Sequence, residues 1–396
     1  MGLYSDIPRS DRYATSVRVL HLTSSFPRDA RDHVAPFLLD LAHAEQEAGM
    51  DVGVLAPHDK GLATVDTVAG VEVHRFRYGL QSMEKLSYRG GLLGSSRRFS
   101  GVMLPAYLAS FSRAAEKAAR DFRPDVIHAH WWLPAGLCAL PAARRLDVPL
   151  IITVHGSDVH LLRYRALRKL ASHVMHRASL VATVSEDLQR QILEFDPRLH
   201  TTVLRLPVPA GPPAAPMPED PPLRLLAAGR LSHEKGFDVL IEAMRIAVGS
   251  GLDVRLDIVG SGPERRRLAL LAAPLGDRIQ LIPALPHAEL MHRLEGVHAL
   301  VAPSRREGLG MVALEAFTRG RPVVASRVGG LAESVEDGVD GYLVEPEDPI
   351  ALAAALARLP FGPPKGVATL RHSSIEVGRT HLEAYASLVS PMVKSR

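Results

Sequence analysis

The sequence predicts two α/β domains, each a doubly wound parallel sheet with helices on both faces, set opposite one another across a cleft. Three observations lead there. Short Val/Ile/Leu runs alternate with amphipathic helical stretches along nearly all of the 396 residues, the βαβα order of a parallel sheet. A proline-dense run from Arg205 to Pro222 interrupts this alternation in mid-chain, after which it restarts. The composition, 46% apolar and 23% charged, is that of a globular chain long enough for two cores.

The elements follow in order. Val17 to Leu22 reads as the first strand, with a turn at Ser24 to Arg28 and a helix from about Ala35 to Ala48 that Gly49 ends. Asp51 to Leu55, Asp125 to Ala129, Leu150 to Val154 and Leu180 to Val184 are further strands, with helices between them. Prolines at 207, 209, 212, 213, 216, 218, 221 and 222 make the interruption a semi-rigid linker rather than core. Beyond it, Leu223 to Ala228, Val254 to Val259, Ile279 to Ile282, His298 to Ala302 and Pro322 to Ala325 are strands of a second domain. The boundary is drawn between 208 and 209. Ligands of such sheets bind beyond the carboxyl ends of the strands.

Composition excludes several classes. No apolar run is long enough to span a bilayer, and the N-terminus carries Asp6, Arg9, Asp11 and Arg12 with no apolar signal core behind them. A cytoplasmic location is expected. Cys138 is the single cysteine, so no internal disulfide or cysteine metal cluster can form; it reads as a small core residue. Residues 1–208 hold 26 Lys/Arg against 21 Asp/Glu, and the remainder 21 against 22. The mildly basic first half suits an anionic acceptor or peripheral contact with an acidic membrane surface. Arg163, Arg165, Arg168 and Lys169 on a predicted helix are the local candidates, and a solvated helix face explains them equally well. Basic patches interleaved with aromatics are absent, which argues against nucleic acid.

The chemistry gathers at the strand ends. In Ser304-Arg-Arg-Glu307-Gly308-Leu309-Gly310-Met311-Val312-Ala-Leu-Glu315, two glutamates stand eight positions apart around a Gly-x-Gly between a strand and a helix. The glycines let backbone approach a ligand, and the helix start presents amides and a positive dipole end suited to phosphate. Ionised carboxylates suit sugar hydroxyls. In isolation the same residues also read as a solvated Glu307 and a helix-surface Glu315. Arg230 and Lys235 share the loop after Leu223–Ala228 and would neutralise a diphosphate leaving group; two exposed cations on a turn is the competing reading. Gly260 and Gly262 open another loop after a strand, a weak signal alone. His155 ends the strand Leu150–Val154 ahead of Gly156 and Asp158, placed to meet a polar ligand or to be satisfied by backbone. His128 and His130 have a spacing that can ligate metal, but no third ligand is apparent, so no metal site is assigned. Trp131 and Trp132 would line an acceptor cleft or pack between domains. The charged loop with Arg28, Asp29 and Arg31 would close on substrate or lie solvated.

These motifs together resemble the retaining glycosyltransferases of family 4. The residues that carry the likeness are Glu307-x7-Glu315, Gly229-Arg230 with Glu234-Lys235-Gly236, Gly260-Ser-Gly-Pro-Glu264, His155-Gly-Ser-Asp158, Asp125-Val-Ile-His-Ala-His130 and Ala182-Thr-Val-Ser185-Glu. The likeness runs from about Val17 to about Leu388. It implies the GT-B fold, an acceptor-binding domain over 1–208, a nucleotide-sugar-binding domain over 209–374, and a last helix, 375–389, returning to the first domain. It implies that Glu315 holds the ribose and Glu307 the donated sugar. Arg230 and Lys235 bind the diphosphate, assisted by the backbone from Gly308 to Val312. Gly260 and Gly262 lie near the base, and His155 contacts the donor sugar. His130, Trp131, Asp158, Arg28, Asp29 and Arg31 are the acceptor-side or loop candidates. The implied chemistry is metal-independent front-face transfer, with no cofactor beyond the sugar nucleotide, to a small-molecule, glycan or lipid acceptor. Two departures stand out: Phe26-Pro-Arg-Asp-Ala-Arg-Asp replaces the family's paired-glycine loop, and Leu206-Pro-Val-Pro209 replaces its Pro-Asn-Gly-Val-Asp hinge. An epimerase of the same fold would need a proton-abstracting acid/base pair. A dinucleotide oxidoreductase would need Gly-x-Gly-x-x-Gly after the first strand, where His21-Leu-Thr-Ser-Ser stands instead. A sugar-binding protein without activity would not need both glutamates and both cations.

Overall fold

The computed structural model describes residues 16–30, 32, 34–80, 84, 87, 88, 97–209, 216–218, 220–359 and 372–393. Arg31, the N-terminal charges from Asp6 to Arg12, and the linker prolines 212 and 213 lie outside the described residues. One sheet is formed by β1 (Arg18–Leu22), β2 (Asp51–Pro57), β3 (Val65–Val68), β4 (Val71–Phe76), β5 (Val126–His130), β6 (Leu150–Val154), β7 (Leu180–Thr183) and β8 (Thr201–Val203). A second is formed by β9 (Leu223–Ala228), β10 (Val254–Val259), β11 (Ile279–Ile282), β12 (Ala299–Ala302), β13 (Val323–Ser326) and β14 (Gly341–Val344).

The first sheet has the order β3-β4-β2-β1-β5-β6-β7-β8 and the second β11-β10-β9-β12-β13-β14. All described neighbours pair in parallel except β3 with β4. The doubly wound parallel class expected from the alternation is therefore what forms. β5, β6, β7, β12 and β13 are buried at every residue, as helices on both faces require. In each sheet the strand order reverses once, between β1 and β5 and between β9 and β12. A crevice opens at such a reversal, beyond the carboxyl ends.

The strands absent from the sequence reading, β3, β4, β8 and β14, are the outer ones. β3, β8 and β14 are short and partly exposed, and polar Glu72, His74 and Arg75 interrupt β4, so none shows the continuous apolar run by which buried strands announce themselves. The linker also needs correction. Leu206 and Val208 are buried, and the Val208 amide donates to the His372 carbonyl at 2.8 Å. Apolar residues alternating with the prolines let this stretch pack as core while φ stays fixed.

The helices of the first layer are α1 (Pro36–Glu47), α2 (Arg97–Phe122), α3 (Leu137–Leu146), α4 (Arg165–Met175) and α5 (Glu186–Phe195). Those of the second are α6 (Phe237–Gly249), α7 (Arg265–Ala272), α8 (His287–Glu295), α9 (Met311–Thr318), α10 (Gly329–Ser334) and α11 (Pro349–Arg358). The last, α12 (Ser374–Val393), lies against α1: a Cβ on Gly378 would fall 2.3 Å from the Ala44 carbonyl. Arg163, Arg165, Arg168 and Lys169 are all exposed at α4. Among the described residues no helix is long and apolar enough to cross a membrane.

Candidate active site

The carboxyl ends of the two sheets meet at a close seam. A Cβ on Gly308 would lie 2.5 Å from the His155 carbonyl oxygen, and one on Gly156 would lie 3.2 Å from the Gly308 Cα. Only glycine at 308 permits that approach. Ser185 Oγ donates to the Gly308 carbonyl at 2.8 Å. Glu333 on α10 accepts from the amides of Glu186 (2.9 Å) and Asp187 (2.7 Å) at the start of α5. A carboxylate from one domain thus caps a helix of the other, where the dipole favours it. Arg306 reaches His160 at 2.9 Å across the same seam. His155, Gly156, Ser185, Glu186 and Gly308 belong to quoted motifs, but their pairing across the seam left no signal in the sequence, because the partners lie over a hundred positions apart.

On the second domain's side, Lys235 Nζ donates to Glu307 Oε2 at 2.5 Å and Ser304 Oγ donates to the same oxygen at 3.1 Å. The strand-turn-helix path creates this group. β9 runs into the loop that carries Arg230 and Lys235, and β12 into the turn that carries Ser304 and Glu307. Gly310, at φ 84°, then caps α9 in the left-handed conformation that favours glycine. The Met311 and Val312 amides open that helix, where geometry leaves them without intrahelical partners. Leu309 is buried under the turn. Arg230 is exposed, and its guanidinium makes no ion pair among the described residues.

Glu315 lies one turn into α9, its side chain 15% exposed and 3.8 Å from the His287 ring. Burial, with the charge of Asp40 on α1 added, pushes its carboxyl up to about 7. At Gly260 and Gly262 packing by itself requires glycine. Their Cβ positions would fall 1.9 Å from the Gly229 carbonyl oxygen and 2.3 Å from that of Leu231. They let the loops after β9 and β10 cross, which fixes where Arg230 and Lys235 emerge.

Opposite stands His155, whose imidazole burial pushes down to about 3, so it is neutral at physiological pH. Its ring lies 4.7 Å from that of Trp131 and 5.3 Å from that of Phe37, and its Nε2 is 3.1 Å from His130 Nδ1. His130 is buried behind it, whereas Trp131 is only partly buried. Trp132 is fully buried and donates from Nε1 to the Asp158 carbonyl at 2.9 Å, so it packs in the first domain.

Asp158 is 2% exposed. Its carboxylate accepts from the amides of His155 (3.0 Å), Gly156 (3.1 Å) and Trp132 (3.3 Å). This is the work of a loop organiser and not of an acceptor contact. Asp158→Ala leaves three amides without their charged partner and is expected to cost about 3 kcal/mol of stability. A lowered urea midpoint would show it, and an unchanged midpoint would contradict it. Arg28 is likewise committed: it forks onto Asp32 at 2.6 and 3.1 Å and reaches Asp59 at 3.4 Å. In this arrangement it braces the loop. Asp29 accepts the Asp32 amide through its backbone carbonyl at 3.2 Å.

The fold supplies what the His128/His130 spacing lacked. His21 from β1 joins them, and His21, His128 and His130 present nitrogens within 4.8 Å of one another, as do Glu45, His128 and His381. The contacts are nevertheless those of shared protons. His21 Nδ1 and His130 Nε2 lie 2.9 Å apart, closer than the roughly 3.3 Å set by two nitrogens about 2.0 Å from one tetrahedral ion.

Comparisons with known proteins agree with this geometry. The family model described as glycosyl transferases group 1 matches residues 214–366, and that of the glycosyl transferase 4-like domain matches 34–206. A glycogen synthase of Mycobacterium tuberculosis is 34% identical over 361 residues, covering 86% of this chain and 85% of the relative. A D-inositol 3-phosphate glycosyltransferase of Acidothermus cellulolyticus is 32% identical over 296 residues, covering 65% and 64%. Among solved structures, sucrose-phosphate synthase from Thermosynechococcus elongatus superposes with a TM-score of 0.70 at 22% identity, over 95% of this chain and 98% of that one. The catalytic domain of starch synthase IV from Arabidopsis thaliana, bound to ADP and acarbose, gives 0.72 at 17% identity, over 95% and 100%. Two sheets of this order joined at a glycine seam, with matches to both halves and to a relative over most of its length, identify the chain as a glycosyltransferase of the GT-B fold and the family 4 type.

Proposed function

We propose that the protein moves a sugar from a nucleoside-diphosphate sugar to an acceptor hydroxyl with retained anomeric configuration and without a metal ion. The observation that carries this is the convergence of Lys235, Glu307 and the start of α9 at one side of the seam, with the neutral His155 at the other. Lys235, Arg230 and the first amides of α9 take the charge of the departing diphosphate. Glu307 accepts from hydroxyls of the donated sugar, and Glu315 from the ribose. The acceptor hydroxyl attacks the anomeric carbon on the face the phosphate leaves, forming the new C–O bond as the old one breaks. The acceptor proton passes to the departing phosphate oxygen. No residue need serve as nucleophile. The starch synthase neighbour is bound to ADP, which supports a nucleoside diphosphate as the group to be held here.

The test is a thermal-shift screen with UDP, GDP, dTDP and ADP, with NAD and NADP as controls. Ligand at 100 times its Kd adds about 2.7 kcal/mol of stability. A shift with one nucleoside diphosphate that Lys235→Ala abolishes supports the reading, as does retained anomeric configuration in the product by NMR. A shift with NAD or NADP alone overturns it.

Glu315 adds a pH dependence. Its carboxyl titrates at about 7 in the folded protein, above the ordinary value of about 4.3. It is protonated at pH 6 and ionised at pH 8, and only the carboxylate offers acceptors to two hydroxyls. Donor affinity is therefore expected to rise about tenfold between pH 6 and 8, and Glu315→Gln to flatten that rise. The stability contribution runs the opposite way: present in full below the unfolded value, it is lost as pH rises through about 7. A sugar-nucleotide Kd independent of pH in the wild type would remove Glu315 from the site.

A further inference from the structure

Behind His155 runs a buried chain of hydrogen bonds that the transfer mechanism above does not use. His155 Nε2 meets His130 Nδ1 at 3.1 Å, His130 Nε2 meets His21 Nδ1 at 2.9 Å, and His21 Nε2 meets Glu45 Oε2 at 2.6 Å. His21 and His130 are no more than 4% exposed, and Glu45 is fully buried. The other Glu45 oxygen, Oε1, accepts from the Tyr385 hydroxyl at 2.5 Å and faces His381 Nδ1 at 3.1 Å. His381 Nε2 meets the Arg205 carbonyl at 3.2 Å. Tyr385 also meets His128 Nδ1 at 2.7 Å, and His128 Nε2 meets Thr153 Oγ1 at 2.6 Å. The chain thus starts at the seam and ends on α12.

Its direction follows from the carboxylate. Burial disfavours the Glu45 charge, but His21 and His381 hold the carboxyl well below the usual range, so Glu45 is ionised and can only accept. Glu45 Oε2, 2.6 Å away, accepts from His21 Nε2, and a singly protonated His21 ring then leaves Nδ1 as an acceptor. His130 donates to it from Nε2 and in turn exposes Nδ1. His155 donates to that atom from Nε2. Burial keeps His130 and His155 neutral, so each of these two rings holds one proton and the order set at His21 carries through to His155. The groups facing His155 are His130, the Trp131 and Phe37 rings, and Asp158 through the backbone amide.

We propose that Glu45, His21 and His130 are positioning residues that fix the tautomer of His155, holding its proton on Nε2 and leaving Nδ1 as an acceptor for a donor-sugar hydroxyl. The catalytic half of this rests on the His155 role proposed above; the tautomer half does not. A proton taken up at Nδ1 would be passed along the same bonds to His21, where Glu45 balances it. The carboxylate therefore acts on the seam through two intervening rings.

The experiment is a long-range proton–nitrogen NMR spectrum of the full chain labelled with ¹⁵N-histidine, with His155→Gln identifying the His155 signals. The wild type is expected to show His155 as the Nε2–H form; the Nδ1–H form overturns the relay without any variant having to fold. Glu45→Gln supplies the second arm. The Tyr385 hydroxyl donates to Oε1 at 2.5 Å, so the amide oxygen keeps that place and the NH2 falls on His21. Every donor and acceptor in the chain then reverses, and His155 becomes the Nδ1–H form while turnover falls at least tenfold. An unreversed tautomer in a folded variant overturns the relay. Reversal with unchanged turnover overturns the part played by His155 Nδ1 and leaves the transferase reading intact. A wild-type chain that binds no sugar nucleotide defeats that reading and leaves the tautomer result standing.

Discussion

Lys235→Ala is expected to lower kcat by about 10²- to 10³-fold, the usual loss when one preorganised donor to developing negative charge is removed. Its ammonium lies at the mouth of the loop after β9, 2.5 Å from Glu307 Oε2, and the phosphate of a departing nucleoside diphosphate gains charge there as the glycosidic bond breaks. Removing it also leaves that Glu307 oxygen with Ser304 Oγ at 3.1 Å as its remaining described donor, so Glu307 loses the contact that orients it. The group is partly exposed, with side-chain accessibilities of 26% and 15%, and folding should survive. Lys235→Arg is not expected to rescue fully, since a planar fork replaces a compact ammonium. Glu307→Ala and Arg230→Ala should each lose at least tenfold. Steady-state rates near wild type in all three variants, with unchanged circular dichroism, would end the site assignment.

Gly308→Ala is the second large effect. The added methyl would sit 2.5 Å from the His155 carbonyl oxygen, a distance that real contacts do not reach; the methyl is fixed to Cα and the oxygen is backbone, so neither can rotate away. The strain is relieved most directly by parting the two domains, because the clash lies between them while each sheet is packed within its own domain. That movement carries Lys235 and Glu307 away from His155. A displacement of about 1 Å from productive geometry costs about 10²-fold in rate. The expected result is a turnover loss of that size with nearly unchanged thermal stability and a larger radius of gyration in solution scattering. Full activity in Gly308→Ala would mean that the seam is not the reacting arrangement.

Much of this was legible before any coordinates. The sequence bounded β6, β9, β10 and β11 to the residue, and β5, β12 and β13 to within one or two, because each is a short Val/Ile/Leu/Ala-rich stretch set off by polar or turn residues. The segment around Glu307 and Glu315 was legible for the same reason: strand, glycine turn and helix start are neighbours in sequence, and their chemistry is local. What escaped was non-local or edge-like. β3 and β14 are partly exposed, and polar residues interrupt the apolar pattern of β4. Asp158 read as a cleft residue because a sequence cannot show that three backbone amides turn inward to meet it. Gly260 and Gly262 read as ligand-facing because crossing loops and ligand loops demand the same missing Cβ.

The sequence by itself determined the two-sheet architecture and the ends of the strands at which charge and glycine collect, because periodicity and strand-end chemistry are properties of consecutive residues. Only the tertiary structure decided which of those groups share a proton. Glu45 and Tyr385 are 340 positions apart, and His21 and His130 are 109 apart. It is the parallel pairing of β1 with β5, and the return of α12 onto α1, that removes them from water and makes one carboxylate set the hydrogen-bond order of three histidines.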